Sequence, residues 1–175
     1  MAAVLVFVVL SGAVAGGCGG GSAPSTAAAD QATVSRVVDG DTIVARVAGH
    51  TERIRFLGID TPESVKPNTP VQCYGKEASA RTAALLPSGT SVRLVRDTEL
   101  RDQYGRLLAY VYRRRDNLFV NVSLVEDGYA VPDEFAPNVA HAAAIRASAI
   151  VAKAAGRGLW SACPAGSIPM HRGGP

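Results

Sequence analysis

The sequence predicts an α+β domain: an OB-fold, a five-stranded Greek-key barrel with about three helices packed on it. Two observations point there. Five β-type segments alternate apolar and polar residues, and a helical segment falls between the third and the fourth. No βαβ unit and no Gly-rich phosphate loop offer a parallel-sheet alternative.

The elements follow in order. Ala32 to Val38 is β-branched and loosely alternating, the pattern of a strand. Asp39-Gly40-Asp41 is a turn signal, and Thr42 to Val47 is the second strand. Ala48-Gly49-His50 closes a hairpin, and Glu52 to Ile59 is the third strand. Along it Arg53 and Arg55 share one face, and Ile54 and Phe56 share the other. Asp60 to Cys73 is a loop, because Pro62, Pro67 and Pro70 block regular structure. Lys76 to Leu86 is a helix with Ala78, Thr82 and Leu85 inward, ended by Pro87-Ser88-Gly89. Ser91 to Arg96 and Leu107 to Tyr112 are strands four and five. Val120 to Glu126 is a short helix, and Val139 to Ala155 is a longer Ala-rich one.

Apolar residues make up 47% of the 175 and charged residues 19%, which excludes a wholly disordered chain. After the N-terminus no apolar run approaches the ~20 residues of a membrane span, which excludes a polytopic membrane protein. The net charge is +3, and only three of the 18 cations are lysines. Arginine suits phosphate, since its planar fork donates two parallel hydrogen bonds. A composition-driven choice of arginine explains the same excess.

Residues 1–18 form an export signal: an aliphatic run over Ala2–Leu10, then small residues, with no basic start. Gly16-Gly17-Cys18 is similar to a lipobox, which would lipidate Cys18 and anchor the chain to a membrane; plain secretion and a retained anchor are the alternatives. Residues 19–30 are an uncharged tether up to Ala29. The folded domain is expected over 31–163, and 164–175 is a tail. In an oxidising compartment the remaining Cys73 and Cys163 are expected to pair, rather than to bind metal or act as a nucleophile.

Acids and arginines gather where strands end. Asp41 opens the second strand and Asp60 follows the third, so a hairpin brings both carboxylates to one end. They repel unless a cation lies between them, and hard oxygen donors favour Ca²⁺ or Mg²⁺. Each motif alone is ordinary. Asp39-Gly40-Asp41 is a common turn, Asp60-Thr61-Pro62-Glu63 a loop start, and Arg113-Arg114-Arg115 a solvated loop tip. His50, His141 and His171 have no metal or triad spacing and default to the surface.

The order of these motifs carries more than any one of them. Asp39-Gly40-Asp41-Thr42 is followed by Arg55 through Asp60-Thr61-Pro62-Glu63, then by Tyr74-Gly75-Lys76-Glu77-Ala78. Asp102-Gln103-Tyr104-Gly105-Arg106 and Trp160-Ser161 complete the series. The set resembles the thermonuclease, or staphylococcal nuclease-like, family from about Ala32 to Cys163. The resemblance implies a Ca²⁺-dependent phosphodiesterase of the micrococcal nuclease type. Such an enzyme cuts single- or double-stranded DNA and RNA as a monomer and leaves 3′-phosphates. By the same resemblance Asp41, Asp60 and the Thr61 carbonyl hold Ca²⁺, Glu63 is the general base, and Arg55 and Arg106 grip the scissile phosphate. Tyr104 lies near the nucleotide, and Asp39 supports the metal site from behind. Gln103 replaces a lysine of the best-known member, and in Ala130–Phe135 only Phe135 could stack on a base. A non-catalytic OB-fold module binding nucleic acid on a surface lipoprotein is the competing reading; it is disfavoured because all five acids and arginines are present.

Overall fold

The computed structural model describes residues 29–65 and 70–168. The export segment with Cys18, most of the tether, Lys66 to Thr69 and the last seven residues lie outside them.

The barrel is built from β1 (Ala29–Asp39), β2 (Thr42–Val47), β3 (His50–Phe56), β5 (Ser91–Val95) and β6 (Leu107–Arg113). The short strands are β4 (Gly58–Asp60), β7 (Leu118–Phe119) and β8 (Val131–Asp133). The main sheet runs β3-β2-β1-β5-β6-β7 and closes through a parallel β3–β6 pairing. Closure lets β-branched and aromatic side chains meet inside: Ile43, Ile54, Phe56, Val92, Leu94 and Tyr110 are all buried. Two bulges in β1, at Val34/Arg36 and Val37/Asp39, give it the curvature to pair with both β2 and β5. The five-stranded barrel predicted from the element order is the one observed.

Helices α1 (Gly75–Leu85), α2 (Val120–Glu126), α3 (Ala142–Ala154) and the single turn α4 (Leu159–Ala162) cover it. As expected, α1 buries Ala78, Thr82 and Leu85. Cys73 and Cys163 form a disulfide that ties the start of α1 to the end of α4. No described helix is long and apolar enough to cross a membrane.

Four expectations need correction. The third strand does not run to Ile59. It leaves the barrel after Phe56, and Gly58, at φ 77°, turns the chain so that β4 pairs with β8. A fully buried amide makes that break tolerable. Asn121 donates from Nδ2 to the Leu57 carbonyl at 2.8 Å and accepts the Val111 N–H at 2.9 Å. Asn121→Leu should therefore strand two buried backbone groups and cost about 2–4 kcal/mol in urea denaturation.

The long helix begins at Ala142, not Val139: the residues before it form a turn closed by the Ala142 N–H on the Val139 carbonyl at 3.0 Å. Arg113 is not at a solvated loop tip. It ends β6, is buried, and donates to the Leu85 carbonyl and to both oxygens of Asp116. His141 is half-buried, 4.4 Å from the Tyr110 ring and 5.0 Å from Phe119, and burial holds its imidazole below its ordinary pKa.

Candidate active site

The site forms where β2 begins and β3 ends. Antiparallel register sets Thr42 opposite Arg55, so Asp41 and Arg55 meet at the same end of the hairpin. Gly40 allows the turn before Asp41 to press against the following loop. A Cβ there would lie 2.6 Å from Thr61 Oγ1. Thr82 of α1 donates to the Gly40 carbonyl at 2.5 Å, which fixes the turn from below.

Arg55 is the hub. Its Nη1 donates to the carbonyls of Phe56 and Ile59 at 2.9 and 2.7 Å and lies 3.2 Å from Asp41 Oδ2. Nη2 reaches Asp60 at 3.0 Å and Asp133 at 3.6 Å. The two carbonyls are available because the strand breaks at Leu57. Burial alone would lower the guanidinium pKa; Asp41, Asp60 and Asp133 together raise it.

Asp41 is buried and Oδ2 accepts both the N–H and the hydroxyl of Thr61, at 3.0 and 3.1 Å. That pair of bonds brings Thr61 beside Asp41 and Asp60. Burial pushes the Asp60 carboxyl up to about 6, with Arg55 pulling down and Asp41 and Asp133 pushing up. Asp39 is likewise pushed up to about 6, first by burial and then by Asp41.

Glu63 sits on the Asp39 side. Its Oε1 accepts the N–H groups of Ser64 and Val65, both at 2.9 Å, which orients the carboxylate. Ser64 Oγ donates to Asp39 at 3.1 Å and lies 2.8 Å from Ser79 of α1. Gly75 is needed here too, since a Cβ would meet the Glu63 carbonyl at 2.6 Å.

On the other side of Arg55 opens a cleft of about 560 Å³. Arg55, Arg106, Tyr104, Asp133 and Phe135 line it over an apolar floor that includes Leu57 and Leu108. Asp102 orients Arg106 through Nε at 2.6 Å, and Arg106 lies over the Tyr104 ring at 5.4 Å. Tyr104 is 75% exposed and free to meet a ligand.

The structure thus gathers Asp41, Asp60 and Thr61 around Arg55. It sets Arg106 and Tyr104 in the adjoining cleft, and joins Asp39 to Glu63 through Ser64. Three contributors were missed. Asp133 stood in view in Ala130–Phe135, but its approach to Arg55 depends on the β4–β8 pairing. Ser64 and Asn121 carry no sequence signal beyond being polar.

The chain matches the model of the "Staphylococcal nuclease homologue" family over residues 53–162. It belongs to the staphylococcal nuclease family. Relatives include the thermonuclease of Staphylococcus hyicus, 41% identical over 73% of this chain and 74% of that one. The thermonuclease of Staphylococcus intermedius is 51% identical over 60% of this chain and 61% of its own length. Endonuclease YncB of Bacillus subtilis is 39% identical over 74% of this chain. The chain therefore spans about three fifths of two of these family members.

The donor set fits the calcium typical of thermonucleases. The set that the resemblance implies, the Asp41 and Asp60 carboxylates and the Thr61 carbonyl, consists of hard oxygens. Burial first, and then the like charge of Asp41 and Asp133, raises the Asp60 carboxyl; a dication would relieve the like-charge part. Among the described residues no three His, Cys, Asp or Glu side chains close into a metal cage. Water and substrate oxygens would complete such a site.

Proposed function

We propose that this chain is an exported Ca²⁺-dependent endonuclease. It hydrolyses DNA and RNA phosphodiesters with little sequence preference and leaves 3′-phosphates. The observation that carries the reading is the position of Arg55. It is held by the acid cluster of Asp41 and Asp60 on one side and opens onto the Arg106 cleft on the other. The disulfide supports an oxidising compartment.

Asp41, Asp60 and the Thr61 carbonyl would hold Ca²⁺, which when bound supplies positive charge against the phosphoryl oxygens. Arg55 and Arg106 donate to the equatorial oxygens, where charge grows in the transition state. Glu63 accepts a proton from the attacking water, whose oxygen forms the new bond to phosphorus. The bond to the 5′-oxygen breaks, that oxygen takes a proton from solvent, and the phosphate stays on the 3′ side. Tyr104 borders the nucleotide, and Asp39 keeps Ser64 and the Glu63 loop in place. A monomer suffices, since one chain carries every group.

The test is cleavage of single-stranded DNA by the purified domain, with Ca²⁺ or with a chelator. Cleavage only with Ca²⁺, reduced about 10²-fold in Glu63→Gln, is expected. Tight binding without cleavage would instead indicate a non-catalytic module.

Calcium should also reshape stability against pH. Asp39 and Asp60 hold protons more tightly folded than unfolded, about 6 against 3.8. The stability they contribute is complete below their unfolded pKa and is lost as pH rises through about 6. A dication offsets that loss only where the acids are ionised. Ca²⁺ should raise Tm more at about pH 7.5 than at about pH 4.5; equal shifts would count against the assignment of Asp60 as a ligand.

A further inference from the structure

Most described arginines are ion-paired, and those that are not lie together. Arg36, Arg46, Arg53, Arg93 and Arg114 have no carboxylate partner among the described residues; every other described arginine has one. Register puts the five on one face of the barrel. Arg36 and Arg53 flank Val44, one on each side, and Arg46 lies between Thr33 and Thr51. The next row toward the site is Thr42 with Arg55. Arg53 and Arg55 are thus on the same face, as are Thr51 and Arg46 one step further along.

Successive rows are two residues apart, about 6.7 Å. This is comparable to the separation of neighbouring phosphates in an extended strand. Away from the site, the residues sharing these rows are Thr33, Val44 and Thr51, none of them charged. Beyond Arg46 the face dips into a small hollow of about 110 Å³, lined by Gln31, Thr33, Ser91, Arg46 and Arg114. Arg114 is aimed there by Gln31 at 2.6 Å. Arg93, half-buried, lies over the Tyr112 ring at 4.2 Å and donates to Asn117 at 3.1 Å. β3 divides this face from the Tyr104 cleft, which lies on its β6 side.

We propose that the outer face of β1–β3 is a track for the sugar-phosphate backbone of a single-stranded polynucleotide, with Arg36 and Arg53, which share a row, holding one phosphate and Arg46 the next, on one flank of the scissile bond. The proposal rests on the nuclease reading for its orientation, and goes beyond it by extending the bound substrate past the cleft. Unpaired, solvated guanidiniums lose little on meeting phosphate and release counterions from the strand. Contacts to the backbone alone would leave the track indifferent to sequence.

The experiment uses the variant Arg36→Gln/Arg46→Gln/Arg53→Gln and its all-lysine counterpart. Binding of a labelled strand of about 16 nucleotides, the upper site size of one OB fold, is followed by anisotropy in chelator across a salt series. Each lost phosphate contact lowers the slope of log K against log salt by ~0.7. The glutamine variant should therefore lose about 1.4 from the slope, with DNA and RNA strands alike, and the lysine variant should recover it. With Ca²⁺, kcat and KM on a trinucleotide should stay within about twofold of the parent, while KM on the long strand rises. An unchanged slope overturns the track. So does an equal loss on trinucleotide and long strand, which would place the effect in the site. Failure of the parent to cleave at all would refute the nuclease reading while leaving the binding comparison intact.

Discussion

Arg55→Ala should lower kcat about 10³-fold and destabilise the fold as well. Loss of one preorganised donor at a transition-state oxygen costs about 10²–10³ in rate. Arg55 does more than donate. It is the shared cation of Asp41, Asp60 and Asp133 and satisfies the carbonyls of Phe56 and Ile59. Truncating it leaves those acids facing one another in a buried corner, an effect of about 3–5 kcal/mol when a buried pair is broken. Ca²⁺ should recover part of this stability without recovering the rate. Arg55→Lys separates the two roles. It keeps a cation among the acids but loses the planar fork, so stability should return while kcat stays down about 10². The check is kcat at saturating Ca²⁺ beside urea denaturation of the three proteins. Retention of more than about a tenth of parental kcat in Arg55→Ala would remove Arg55 from the chemistry.

Replacing both cysteines by serine should lower stability by ~4–5 kcal/mol, because the Cys73–Cys163 bridge closes a loop of 90 residues. For a domain of this size that is a fall in Tm of about 10–20 °C. The bridge joins the residue two before α1 to the residue after α4. α1 in turn holds the site, through Thr82 to the Gly40 carbonyl and through Gly75 against the Glu63 carbonyl. At 25 °C the protein without the bridge still packs α1 on the barrel, so kcat should change little; the loss should appear on heating. Scanning calorimetry of parent and double-serine protein tests this. A shift below about 3 °C would show that the unfolded chain gains little from release of the bridge.

Arginine identity matters at Arg55 and on the neighbouring β1–β3 face for different reasons. At Arg55 the planar fork serves several acceptors at once. On the β1–β3 face the same side chain stands unpaired. Composition alone, with lysine supplying only three of the cations, could not separate these uses.

Much of the architecture was legible in the chain. Alternation marked the five barrel strands, and the spacing of Ala78, Thr82 and Leu85 marked α1, because these signals are written within a few residues of one another. The short-range turn at Gly40 and the acids around it were legible for the same reason. Asp133 was not, since it reaches Arg55 only once β8 pairs with β4. The break after Phe56 looked like continuing strand, since Leu57 and Ile59 are apolar too; a buried amide 64 residues away stabilises it. Arg113 looked solvated within an Arg run until β6 carried it under α1 to the Leu85 carbonyl. The chain by itself thus determined which elements form and which residues are candidates for the chemistry, through periodicity, turn residues and motif order. Tertiary structure decided which charges are partnered and which are free, because pairing between distant residues depends on strand register and barrel closure, and neither is encoded in any local window.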